Sequence, residues 1–374
     1  MKVHGVKTPV SLLCIFLTFS GALLVCVGCG GGQEGSEKEG EKASTTAEET
    51  SEKATGGETT GGGTTGGTTG ASNGEITGGT SVATGAEKPY TAIVVPDDET
   101  SRSGPSGDVL VEGAEDLSDG PLKENRIVAY YGNPLEGAMG VLGETDPETM
   151  MENLIEQTAA YSAADPDRPA VPTIEFIAST AQRDPGSDGS FIQQLPEELI
   201  EEYATLAEEN GALLLLDVQL GTLTVPEEIE VLREFLERPY VHLAIDTEYS
   251  VDPGQVPGVD LGTVDGAEIQ EAVAILDQLV EEEGIPDKML VVHQFESGIV
   301  TNKQLIEPTE NVQVVLNADG FGLVEAKTTK YDVLVAEEPI QYGGFKLFYS
   351  QDPVLISPEE VLQLDPVPVV INYQ

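Results

Sequence analysis

Asp246 and Glu248 are the residues of this chain best placed to do chemistry: two carboxyl groups two positions apart, closing the apolar part of the run YVHLAIDTEYSVD (residues 240–252). In a strand, side chains two apart leave on the same face, so the pair is expected on one wall and Leu243 and Ile245 on the other. Repulsion and partial burial should separate the two pKa values, leaving a protonated donor beside a charged acceptor. Acid and base roles at a glycosidic bond need that division.

Other apolar runs end in the same way: VPTIEF (171–176) carries Glu175, LLLLDVQ (213–219) carries Asp217 and Gln219, MLVVHQF (289–295) carries His293 and Gln294, and VQVVLNAD (312–319) carries Asn317 and Asp319. Glu175, Asp217 and Asp319 are therefore expected to join Asp246 and Glu248 in a catalytic ring. Gln219, His293, Gln294 and Asn317 would contact substrate beside them. Tyr130, Tyr131, Tyr249 and Tyr349 also fall at strand ends, where flat rings suit sugar faces. The plain alternative is a set of ion-paired strand ends with no ligand. A His-rich zinc site is unavailable, because only His293 lies near a strand end. No resident cofactor is expected; a carboxylate site for Ca²⁺ or Mg²⁺ from Asp217, Asp246, Glu248 and Asp319 is the alternative. No serine or cysteine nucleophile and no phosphate loop stands out.

The elements that must position these groups alternate from Arg126 onward. Strands are expected at 127–132, 171–176, 213–219, in the run that ends at Asp246, and at 289–295, 312–317, 346–350 and 366–372. Between them lie helical stretches: one from Pro147 with Asp146 as N-cap, PEELIEEYATLAEEN stopped by Gly211, PEEIEVLREFLE, and one from Asp265 to Gly284 with Glu268 in capping-box position. The link between the fifth and sixth strands is the least helical. Eight strands in about 250 residues with mostly helical crossovers predict a (β/α)8 barrel over residues 126–374. Leu243, Ile245, Ile174, Phe176, Val312, Val314 and Leu316 should face the helices, and the acid-bearing parity the axis. The runner-up is an open doubly wound sheet, disfavoured because no glycine-rich phosphate loop leads a strand into a helix.

The D-x-E at the fourth strand resembles the barrel glycoside hydrolases: chitinase-type enzymes end that strand in D-x-E, and Chalaropsis-type lysozymes have a similar motif. The resemblance covers the barrel pattern and residues 246–248. It implies Glu248 as acid with Asp246 as its electrostatic partner. In the chitinase type two further Asp precede the pair at alternate positions; here those positions hold His242 and Ala244, so substrate-assisted chemistry is not implied.

The first 28 residues read as a secretory signal: Lys2 and Lys7 precede an apolar run closing in small residues. VCVGCGGG resembles a bacterial lipobox, which implies cleavage after Gly28 and acylation of Cys29, with Cys26 where that family usually has Leu. A lone spanning helix is the alternative. Residues 29–88 are Gly, Thr, Ser and Glu with almost no large apolar side chain, composition that cannot offset the entropy of ordering, so a flexible tether of roughly 45 Å is expected. Residues 89–125 form a mixed lead-in.

The 374 residues carry 18 Lys+Arg against 66 Asp+Glu, a net charge of -48. That field repels nucleic acid and leaves membrane lipid, engaged through an acylated Cys29, and a cell-envelope polysaccharide as the expected partners. It also suits high salt, although solvated helix faces with an acidic linker are the plainer account. All three cysteines lie in the first 29 residues, so the barrel has no disulfide. The expected protein is an extracytoplasmic, lipid-anchored barrel acting on envelope polysaccharide. A saccharide- or cation-binding lipoprotein without turnover, and a purely structural envelope protein, are the alternatives.

Overall fold

The computed structural model describes residues 88–95 and 108–374. The chain divides into a unit of residues 1–80, which lies outside the described residues together with the signal, lipobox and most of the tether, and a unit of residues 81–374. No helix among the described residues is long and apolar enough to cross a membrane.

Eight parallel strands close on themselves. In chain order the elements are β1 (Arg126–Gly132), α1 (Pro147–Ala164), β2 (Ala170–Ala181), β3 (Ile192–Gln194), α2 (Glu197–Glu209), β4 (Leu213–Gln219), α3 (Val225–Leu236), β5 (Val241–Asp246), β6 (Val264–Asp265), α4 (Gly266–Glu283), β7 (Lys288–Gln294), β8 (Val300–Thr301), β9 (Val312–Ala318), α5 (Val324–Tyr331), β10 (Tyr342–Leu347), α6 (Pro358–Val361) and β11 (Val370–Tyr373). The ring runs β1, β2, β4, β5, β7, β9, β10, β11 and back to β1, every pairing parallel. β3 is an antiparallel extension on β2, and β6 and β8 form a separate two-stranded ribbon. This is a (β/α)8 barrel, and the open sheet is excluded by the β1–β2 and β1–β11 pairings.

Local chemistry explains the crossovers. Asp146 caps α1 by accepting from the Thr149 amide at 3.0 Å, with Pro147 pre-set for the first turn. Thr224 and Glu227 form a reciprocal capping box at α3. Asp265 caps α4, and Gly284 ends it at φ 62, a left-handed position that favours glycine. Glu268 forms no box there: its carboxylate reaches instead to the Val225 amide at the start of α3, 2.8 Å away, and ties the two helices together. Between β7 and β9 the described chain holds only a 3-10 turn, Lys303–Leu305, and β8.

Two strand positions differ from expectation. β10 begins at Tyr342 rather than at 346, and β11 at Val370 rather than at 366. The lead-in closes the N-terminal end of the barrel: the Gln313 side chain accepts from the Leu122 amide at 3.0 Å and donates to Asp116 at 2.6 Å, and Leu122 is fully buried. Beside it Arg126 and Asp165 make a buried ion pair at 3.0 Å. The stretch YTAIVV contributes a single bridge, Ile93 to Ala170.

Candidate active site at the C-terminal mouth

The parity of each strand decides what reaches the axis. Successive residues alternate faces, so Tyr131, Glu175, Asp217, Asp246, His293, Asn317, Lys346 and Asn372 share the inner face near the C-terminal ends of their strands, with Tyr131 paired to Glu175, Asp246 to His293, His293 to Asn317 and Lys346 to Asn372 across the ladders. All eight are buried. Because barrel chemistry sits at this end of the fold, a polar layer here reads differently from one at the opposite end.

His293 is the hub. Its Nε2 lies 2.8 Å from Glu175 Oε1 and its Nδ1 2.9 Å from Asp319 Oδ1, so a carboxylate faces each ring nitrogen. Burial opposes the imidazolium, but the charges of Asp319 and Glu175 prevail and hold its pKa well above the usual histidine range. The other carboxylate oxygens are also engaged. Asp319 Oδ2 pairs with Lys346 Nζ at 3.0 Å, and Asn372 donates to Glu175 Oε2. Asn317 donates to Asp319 Oδ1 at 2.7 Å. Asn317 has room because its neighbour in β10 is Gly344; a Cβ there would overlap the Asn317 side chain.

Lys346 Nζ also lies 3.6 Å from the centroid of the Tyr131 ring. The Tyr131 hydroxyl donates to Asp217 Oδ2 at 3.1 Å, whereas Asp217 Oδ1 is buried with no hydrogen-bond partner. Burial pushes the Asp217 carboxyl up to about 6. Burial, then the charges of Glu248 and Asp217, drive Asp246 well above the usual carboxylate range. Gln219 donates to Asp246 at 3.3 Å and accepts from the Ala181 amide at 2.9 Å. Asp319 goes the other way: burial would raise it, but His293 and Lys346 hold it well below the carboxylate range.

Glu248 does not share a strand face with Asp246. β5 stops at Asp246 and the chain turns into a 3-10 turn, Thr247–Tyr249, anchored by Thr247 Oγ1 donating to the His293 carbonyl at 2.7 Å. The turn leaves Glu248 and Tyr249 half-buried at the rim, where burial first and the charge of Asp319 second raise the Glu248 carboxyl. Tyr249 hydrogen-bonds to Glu248.

Three expected ligand contacts lie elsewhere. Tyr130 has the opposite parity to Tyr131 and points outward, where its hydroxyl is 3.1 Å from that of Tyr349. Tyr349 stacks on Tyr373, and Tyr130 and Tyr349 border a cleft of about 390 Å³ against α1 with Asn153, Glu156 and Gln157. Gln294 likewise faces away from the axis, donating to the Leu334 carbonyl at 3.3 Å. Conversely, Lys346 and Asn372 belong to the cluster although neither was expected there; a lysine two residues beyond a glycine pair in an apolar run was the available signal.

Ligand atoms of Glu175, Asp217 and His293 lie within 4.8 Å of one another, close enough to hold a metal ion. The four acids considered for Ca²⁺ or Mg²⁺ do not include this set, and Asp319 among them is engaged by His293 and Lys346.

The fold and site together define a (β/α)8 barrel with an acid-rich, cation-bridged cluster buried beneath its C-terminal mouth. No protein-family model matches the sequence, and no curated protein matches it. Among solved structures it is similar to a β-glucuronidase of Parabacteroides merdae (11% identity, TM-score 0.33, 66% of this chain and 31% of that one). It is also similar to a glycerophosphoryl diester phosphodiesterase from Parabacteroides distasonis (11%, 0.33, 71% and 85%) and to a GH18 chitinase from Pseudoalteromonas aurantia (11%, 0.29, 67% and 94%). The chain spans about a third of the length of the first of these. The barrel assignment rests on the closed strand ring itself.

Proposed function

We propose that this protein is a lipid-anchored, extracytoplasmic hydrolase of cell-envelope polysaccharide, with Glu248 delivering the proton to the leaving oxygen. The observation that carries the reading is the pairing of roles at one rim: a half-buried Glu248 whose proton affinity burial raises, next to an Asp319 ion-paired to both His293 and Lys346. Asp246, raised by burial and by the charges of Glu248 and Asp217, is disposed to hold a proton and does not serve as the anion; Asp319 supplies the negative charge an oxocarbenium-like transition state needs. Gln219 and Tyr131 fix the two inner carboxyl groups, and Tyr249 offers a flat ring at the entrance.

The full-length protein in detergent, incubated with purified peptidoglycan sacculi and soluble β-glucans, is expected to release reducing ends. Glu248→Gln should slow release at least 100-fold while leaving polymer sedimentation with the protein intact, the loss typical of removing a general acid. Sedimentation without release in the unaltered protein would instead make it a saccharide-binding lipoprotein, and release unchanged in Glu248→Gln would remove Glu248 from the reaction.

A further inference from the structure

We propose that Glu175, Asp217 and His293 form a binding site for one divalent transition-metal ion, of the Mn²⁺ to Zn²⁺ series, on the barrel axis. Each of the three side chains is held from behind by a partner that leaves one donor atom for the ion. Asn372 fixes Glu175 through Oε2, leaving Oε1; the Tyr131 hydroxyl fixes Asp217 through Oδ2, leaving Oδ1; Asp319 takes the Nδ1 side of His293, leaving Nε2. A histidine oriented by a carboxylate on its far nitrogen, and carboxylates oriented by hydrogen bonds on their outer oxygens, are what metal ligands require of their surroundings.

Asp217 Oδ1 is the independent sign of a ligand. It is a fully buried carboxylate oxygen with no hydrogen-bond partner, which is costly unless a positive charge sits beside it. The layer around it sharpens the point: five carboxyl groups, Glu175, Asp217, Asp246, Glu248 and Asp319, gather about the cations His293 and Lys346, with Lys330 near Asp319 and Glu248 and Lys327 near Asp319 but paired to Asp352. The imidazole nitrogen selects against Ca²⁺ and Mg²⁺, which take oxygen donors, and for first-row transition ions. Against the roughly 3.4 Å expected of tetrahedral ligands with bonds of about 2.1 Å, the 2.8 Å between His293 Nε2 and Glu175 Oε1 is short and separations within the set reach no more than 4.8 Å, so on binding His293 and Glu175 would part slightly as Asp217 adjusts toward the ion. In the metal-free protein Nε2 carries the proton facing Glu175. Binding replaces that N–H bond with a nitrogen–metal bond and releases one proton to solvent, and Glu175 Oε1 passes from the proton to the ion.

The site stands apart from the polysaccharide reading, and its test reads binding rather than turnover. The full-length protein, stripped with EDTA, is titrated with Co²⁺ in 0.5 M NaCl, which suppresses loose binding to so acidic a surface. Visible absorption of the bound ion and calorimetry are followed, with Zn²⁺ as competitor. The expected result is one saturable equivalent displaced by Zn²⁺. Asp217→Asn should weaken it at least 100-fold, and Tyr131→Phe, which keeps all three ligands and frees only the back of Asp217, about tenfold. Glu281→Gln, on the exposed face of α4, should not change it. Absence of a saturable equivalent, or unchanged affinity in Tyr131→Phe, overturns the site even if Asp217→Asn fails to fold. Binding that behaves as expected in a protein that releases no reducing ends from any polymer would sink the hydrolase reading alone.

Discussion

Lys346 is the residue on which the charge balance of the axial cluster turns, and its pair with Asp319 can be measured. The ammonium is 3.0 Å from Asp319 Oδ2, with the side chains 4% and 13% exposed, so neither charge can be left to water when the other is removed. Lys346→Met therefore strands a buried carboxylate. Breaking such a pair costs about 3–5 kcal/mol, and the remaining His293 contact to Asp319 places the expected loss near the lower figure, about 3 kcal/mol. Asp319→Asn strands Lys346 in turn at a similar cost. The double variant removes both charges, so the two losses should not add: a coupling of about 2–3 kcal/mol is expected, against 0–1 for an exposed pair. The assay is urea unfolding of the EDTA-treated protein followed by circular dichroism, for the four members of the cycle. The sign of the pH dependence follows from the shifts. Asp319 is depressed, so its contribution is present above about pH 4, the unfolded carboxylate value, and is lost as pH falls through the lower folded value. Burial opposes the Lys346 charge but Asp319 leads the charges that raise it, so its contribution persists up to about pH 10 and is lost above the folded value. The coupling should thus be flat between about pH 5 and 9. Losses that add to within about 0.5 kcal/mol, or a coupling that titrates away between pH 5 and 7, would refute the ion-paired account of the cluster.

Two further outcomes test other parts of the chain. Lys288, fully buried and bonded to the Arg238 and Val241 carbonyls at 2.7 and 2.9 Å, is pushed by burial down to about 7. Between that value and the unfolded value near 10.5 the unfolded chain binds the extra proton, so stability should rise by about 3 kcal/mol from pH 7 to 9.5; Lys288→Met should lack that increment whatever its absolute stability, and equal slopes in urea titrations of the two proteins would contradict it. Cys29→Ser should abolish fatty-acid labelling and release the protein from the membrane fraction; label retained on the variant would remove the proposed anchor.

Much of the mouth was legible because strand parity is a rigid rule. Asp217, Asp246, Glu175 and Asn317 are where an alternation counted from Leu243, Ile174 and Val314 puts them, on the face away from the helices. The misreadings arise where parity or strand limits were set aside. Tyr130 and Tyr131 are adjacent, so they cannot share a face, and grouping them by position along the strand placed one of them wrongly. Glu248 was assigned by extending a strand that the Thr247 bond to the His293 carbonyl ends. Lys346 was missed because the expected seventh strand, 346–350, put it at the N-terminal end, whereas the strand begins four residues earlier at Tyr342 and carries Lys346 to the mouth. Gly344 is in the strand for a reason invisible along the chain: Asn317 occupies the space its side chain would fill. The doubly bonded state of His293 depends on Glu175 and Asp319, 118 and 26 residues away, which no local pattern encodes.

The layers below the mouth explain how so polar a cluster is tolerated. On the same parity one step down each strand stand Ala129, Leu215, Ala244, Val291 and Val315, all fully buried, with only Thr173 polar. A purely structural solution would continue such residues to the end of the strands, since replacing buried charges with packed apolar side chains is often neutral or stabilising. The change from aliphatic to ionic between consecutive layers instead occurs on several strands at once, at the end where barrel enzymes place their active sites. Ion pairs that merely closed the strand ends would leave each oxygen satisfied within the cluster. The unpartnered Asp217 oxygen, and the excess of carboxyl groups over cations, mark a layer whose electrostatics are completed from outside the polypeptide, by protons and, on the proposal above, by a metal ion.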